Sequence, residues 1–91
     1  LPITRYSQIL QFILSKKWFV KTSLEKEFPN VPRADLTRFL INLVKNGIIL
    51  EDGKHRPARY IVPNTNITKG LRLIYNINIE EEYAPILQIK N

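Results

Sequence analysis

The chain has 91 residues, 44% apolar and 24% charged, with a net charge of +6 and a pI near 9.8. That length allows one domain with a modest core, no window holds the run of about eighteen apolar residues that a membrane span needs, and the lack of cysteine excludes disulfides, thiolate chemistry and cysteine-ligated zinc. Methionine is absent even at position 1 and no segment resembles a signal peptide, so the expectation is a fragment of a longer protein, with an intracellular setting, cytoplasmic or nuclear, as the default.

From Thr4 to about Lys16, residues Tyr6, Ile9, Leu10, Ile13 and Leu14 recur at the i, i+3, i+4, i+7, i+8 spacing of a helix buried along one stripe. Lys16 and Lys17 suit its C-terminal end, and Trp18-Phe19-Val20 reads as a short extended piece. Thr22-Ser23-Leu24-Glu25 matches a capping box, which predicts a short helix from Ser23 to about Phe28, stopped by Pro29. Asn30-Val31 makes the turn. Pro32 stands where a first helical residue tolerates proline, and Leu36, Phe39, Leu40, Leu43 and Val44 predict a third helix ending at Asn46-Gly47. Ile48-Ile49-Leu50, the turn signal Asp52-Gly53, a basic loop and Tyr60-Ile61-Val62 predict a hairpin ended by Pro63.

This order of helix, short strand, short helix, turn, longer helix and hairpin resembles the winged helix-turn-helix superfamily over about residues 4–62. VPRADLTRFLINLVKNGII stands in the place of the recognition helix and GKHRPARYIV in the place of the wing. The resemblance implies an α+β fold, three helices plus a β-hairpin wing, in a domain spanning residues 1–63. Residues 64–91 fall outside that pattern and are expected to form a C-terminal β-hairpin extension packed on the same domain. Leu71, Leu73, Tyr75, Ile77 and Ile79 alternate with Arg72, Asn76, Asn78 and Glu80, broken only by Ile74, and Pro85 to Ile89 would pair back across Glu80-Glu81-Glu82. A helix over Thr68 to Ile77, starting at a threonine cap, is the other reading of the first run.

The excess charge is confined. Residues 1–61 hold 11 Lys and Arg against 5 Asp and Glu, whereas residues 62–91 hold 3 against 3. A basic surplus restricted to one segment suggests a face that meets a polyanion. Advancing about 100° per residue, the third helix turns Leu36, Phe39, Leu40 and Leu43 inward and sends Ala34, Arg38, Ile41, Asn42 and Lys45 outward. In the resembling superfamily this helix lies in the DNA major groove, which would put Arg33, Thr37, Arg38, Ile41 and Asn42 nearest the bases and Lys45 nearest phosphate. Arginine can fork onto guanine, asparagine can pair with adenine and a small apolar group can meet the thymine methyl. Lys54, His55, Arg56 and Arg59, on a loop stiffened by Pro57, would contact the flanking backbone and position the domain without reading sequence. Lys16, Lys17 and Lys21 would add contacts near the start of the second helix.

His55 is the single histidine and lacks the co-ligands of a metal site, the glutamate run lacks the pattern of a calcium loop, and Ser7, Ser15 and Ser23 belong to no nucleophile motif. No metal, cofactor or catalytic residue is therefore expected. Trp18, Phe19 and Tyr60 sit beside elements that need a core, which favours burial over a role as stacking platforms. The expected function is sequence-specific binding of double-stranded DNA as a non-enzymatic module of a larger protein. Ile41 and Ala34 on the outer face, or the apolar C-terminal extension, fit instead a module for protein association or homodimerisation. RNA is a third possible target, because a basic wing does not distinguish the two polymers.

Overall fold

The computed structural model describes residues 4–79. The described chain is α+β, with four helices and one three-stranded antiparallel sheet, in the order α1 (Arg5–Leu14), β1 (Trp18–Val20), α2 (Lys21–Glu27), α3 (Arg33–Lys45), β2 (Leu50–Asp52), β3 (Arg59–Ile61) and α4 (Asn66–Tyr75). Up to β3 this is the order that the hydrophobic periodicity predicts.

Thr4 caps α1 by accepting from the Ser7 amide, while the Ser7 hydroxyl accepts from the Thr4 amide. The predicted capping box of α2 is not formed, and this corrects the expectation built on Thr22 and Glu25. The N-cap is Val20, which supplies no side-chain acceptor, so α2 starts two residues early, directly from the end of β1. Its short length of 7 residues leaves it dependent on packing, and Leu24 is fully buried. The α3 helix ends as predicted. Gly47 takes φ 74°, its amide donates to the Val44 carbonyl at 3.0 Å, and the Ile48 amide donates to Leu43 at 2.9 Å. This double bond satisfies two carbonyls that the helix end would otherwise leave open, in a backbone conformation that glycine adopts without a Cβ clash.

The sheet order is β1-β3-β2. Register pairs Trp18, Phe19 and Val20 with Ile61, Tyr60 and Arg59, and pairs Leu50, Glu51 and Asp52 with the same three β3 residues in that order. Strand alternation therefore sends the Phe19–Tyr60–Glu51 row to one face of the sheet and the flanking Trp18–Ile61–Leu50 and Val20–Arg59–Asp52 rows to the other. The first face meets the helices, where Phe19 is buried and stacks on Tyr60 with ring centroids 5.4 Å apart. The second is solvated, and Trp18 stays 42% exposed, so the expected burial of this tryptophan is overturned.

The core joins the first three helices and β1: Ile9, Ile13 and Leu14 from α1, Phe19 from β1, Leu24 from α2, Leu36, Leu40 and Leu43 from α3, together with Val31, Ile49 and Val62 between elements and Tyr60 of β3 packed against them. Each such side chain, fully buried, contributes about 1.5–3 kcal/mol. Phe12 meets Phe28 edge-on at 5.8 Å and fixes α2 against α1.

The expected strand over residues 71–79 is instead helix α4 followed by a short non-helical segment, and this corrects the C-terminal hairpin. Thr65 and Thr68 form a reciprocal cap, and the Thr68 hydroxyl also lies 2.6 Å from the Pro63 carbonyl. Asn76, at φ 55°, closes the helix, with its amide donating to Leu73 and that of Ile77 to Arg72. The buried side of α4 carries Thr68 and Arg72, with Leu71 and Tyr75 partly buried beside them. That is the i, i+3, i+4, i+7 stripe of a helix, with a threonine and an arginine in it. Pro85 to Ile89, the second strand of the expected hairpin, lies outside the described residues.

Candidate functional site

The outward arc of α3 is as expected: Ala34, Arg38, Ile41, Asn42 and Lys45 are all exposed, with Ile41 at 58%. One side of this arc adjoins α1. Tyr6 lies 5.3 Å from Phe39, centroid to centroid, and Arg5 approaches Asp35 at 3.8 Å. Arg38 donates to the other oxygen of Asp35, one turn back on its own helix.

The other side of α3 adjoins the hairpin. Leu40, Ile41, Val44 and Lys45 line a hollow of about 310 Å³ together with Glu51 of β2 and Tyr60 of β3. Nearer the N-terminal end of the helix, the Lys21 ammonium donates to the Thr37 hydroxyl. Lys21 directly follows Val20, the register partner of Arg59. The Lys21–Thr37 bond ties α2 to α3. Arg33 is exposed at the start of α3, 3.9 Å from the Glu25 carboxylate.

Beyond β2 the hairpin loop is held by Asp52, which accepts from the Lys54 amide at 3.0 Å and lies 3.4 Å from His55. Lys54, His55 and Arg56 are exposed, as a projecting loop requires. Arg59 is different. Its guanidinium lies over the Trp18 ring at 4.8 Å and donates to His55, and its Nε is buried with no partner among the described residues. Arg59 therefore braces the hairpin where its loop begins, and Lys54 and Arg56 are the cations that reach outward. The brace escaped the sequence because it depends on which β1 residue pairs with β3.

Ion pairs near this surface are weak. Exposed pairs of this kind contribute about 0–1 kcal/mol, so Arg33 and Arg38 can exchange a carboxylate for another anion at small cost. Exchange with a phosphate oxygen keeps the charge-assisted hydrogen bond. Among the described residues no group of three or more His, Cys, Asp or Glu side chains is gathered to hold a metal ion, and no helix is long and apolar enough to cross a membrane.

Burial, and then the facing Glu51 carboxylate, which accepts a hydrogen bond from the phenol, push the Tyr60 hydroxyl above its ordinary value of 10.0. The folded state thus holds the phenolic proton more tightly than the unfolded chain does. Its contribution to stability is complete below pH about 10 and is lost as the pH rises through the raised value. The urea midpoint is expected to fall over that alkaline range more steeply for the parent chain than for Tyr60→Phe. Identical slopes would remove the Tyr60–Glu51 pair from the account.

Comparison of the chain with protein-family models, with curated proteins and with solved structures returns no match.

Proposed function

We propose that the chain is a winged helix-turn-helix module that binds double-stranded DNA sequence-specifically, with α3 in the major groove and the β2–β3 hairpin as a wing on the phosphate backbone. The observation that carries this reading is the adjacency of two exposed cationic elements. The outward arc of α3 offers Arg38, Asn42 and Lys45, and the hairpin whose loop carries Lys54 and Arg56 meets the same helix across the Tyr60 hollow, which Lys45 also lines. An α-helix fits the major groove, and a cationic loop beside it meets the phosphates that flank the groove. Arg38 and Asn42, four apart and exposed, are the side chains of this arc suited to forked hydrogen bonds on base edges. In this reading the module acts by binding.

A second reading rests on α4, where Ile67, Leu73 and Ile74 are 52%, 82% and 65% exposed. Exposed apolar side chains so close together favour an additional contact with protein, in keeping with a module carried by a larger assembly.

A salt titration of binding to duplex, single strand and RNA separates these readings. Duplex affinity is expected to fall with a log–log slope of about −0.9 for each phosphate neutralised, and to exceed that for the other two polymers. A chain indifferent to duplex in dilute buffer would end the DNA reading. If duplex binds, selection from a random pool identifies the preferred site.

A further inference from the structure

Arg72 is the most deeply buried charged residue described, with 7% of its surface exposed, and it stands on the inward side of α4. Its Nε donates to the Leu14 carbonyl at 2.9 Å, which joins α4 to the C-terminal end of α1, where the helix dipole favours a cation. That bond explains why an arginine is tolerated there. It does not complete the site: the remaining contact, from Nη1 to the Asn64 amide oxygen, is long at 3.5 Å, and no carboxylate lies within ion-pair reach among the described residues. A guanidinium largely withdrawn from water with no counter-charge among the described residues is costly, and burial lowers its pKa. The same side chain lines a hollow of about 600 Å³, to which Asn64, Lys69 and Asn78 bring polar groups and Leu73 and Ile77 apolar ones. The volume lies in the range of small-molecule sites, about 300–1,000 Å³.

We propose that this hollow at the α1–α4 junction binds a small organic anion with an apolar body, its carboxylate or phosphate group held between Arg72 and Lys69. Asn64 and Asn78 complete the hydrogen bonds of the anionic group, and Leu73 and Ile77 receive the body. The site uses none of the α3 or hairpin cations and is independent of the DNA reading. Occupancy would tighten the α1–α4 contact, because the anion supplies the charge that Arg72 lacks.

The test is thermal unfolding of the full chain at constant ionic strength with benzoate, phenyl phosphate, inorganic phosphate and neutral benzyl alcohol at millimolar concentration. Benzoate, phenyl phosphate or both are expected to raise Tm saturably by a few degrees, with inorganic phosphate weaker and benzyl alcohol without effect. Whether the carboxylate or the phosphate gives the larger rise identifies the preferred group. Lys69→Ala, a change of an exposed residue, should weaken the rise several-fold. Asn64→Asp places a carboxylate beside Arg72 and should raise the basal Tm while abolishing the response. Lys54→Ala with Arg56→Ala should leave the response intact. No saturable rise in the parent chain, or an equal rise in Asn64→Asp, would overturn the site. So would a rise that appears only when Glu80, Glu81 and Glu82 are changed to glutamine, since the chain's own acid would then be the occupant.

Discussion

Arg38→Ala is expected to lower affinity for the preferred duplex by about 1–3 kcal/mol and to flatten the preference at the base pairs it reads. Lys54→Ala with Arg56→Ala should instead weaken all duplexes alike and reduce the salt slope by about 2, because phosphate contacts release counterions without reading bases. The two outcomes differ in kind, which makes the comparison informative even where the affinities fall by similar amounts. In the free chain Arg38 is paired with Asp35 across one helical turn. An exposed i, i+3 pair stabilises a helix by only about 0.2–0.5 kcal/mol, so its loss on binding does not cancel a forked base contact. Asp35→Asn should accordingly strengthen duplex binding slightly by freeing the guanidinium. Arg59→Ala is a poor substitute for Arg56→Ala, because removing the group stacked on Trp18 disturbs the hairpin where its loop begins as well as its charge. If Arg38→Ala left both affinity and preference unchanged, α3 would have no part in recognition. Selection from a random duplex pool, run in parallel on parent and variant, measures both quantities.

How much of this was legible in the sequence depends on what each element buries. The stripes of α1 and α3 consist of Ile, Leu and Phe, so apolar spacing locates both helices, and Gly47 marks the end of α3 by a conformational requirement that few other residues meet. The same spacing fails for α4. Its inward side carries Thr68 and Arg72 while Leu73 and Ile74 stay largely exposed, so a pattern of apolar residues read as core traces a strand where the described chain is helical. The signal that locates the helix is polar: Thr65 and Thr68, three apart after Pro63, form the cap. For α2 the reverse holds, since Thr22 and Glu25 satisfy the capping pattern yet the chain enters the helix straight from β1. The exposure of Arg38, Ile41, Asn42 and Lys45 on α3 and of Lys54, His55 and Arg56 on the hairpin loop follows from the helical period and from the polar loop sequence. The placing of the hairpin beside α3 was not legible, since it rests on how Leu40, Val44 and Tyr60 come together, which helical period and turn signals do not specify.

Leu36→Ala is expected to have the largest effect on stability, about 2–5 kcal/mol, because Leu36 is fully buried among α1, α2 and α3 residues and its truncation leaves a cavity. For a chain of this size total stability is about 5–15 kcal/mol, so the loss is a large fraction, and Tm should fall by roughly 8–40 °C. Ile41→Ala, five residues along the same helix, removes a side chain that is 58% exposed and should change stability by no more than about 0.5 kcal/mol. The pair divides the helix by face. At a temperature where both variants remain folded, Leu36→Ala should bind duplex with nearly parental affinity per folded molecule, whereas Ile41→Ala should lose any contact that the isoleucine makes with a thymine methyl. Chemical denaturation and duplex titration on the same samples read out the two effects separately. A Leu36→Ala midpoint indistinguishable from the parent would mean that α3 does not pack through this face, and the outward direction of Arg38 and Asn42 would fall with it.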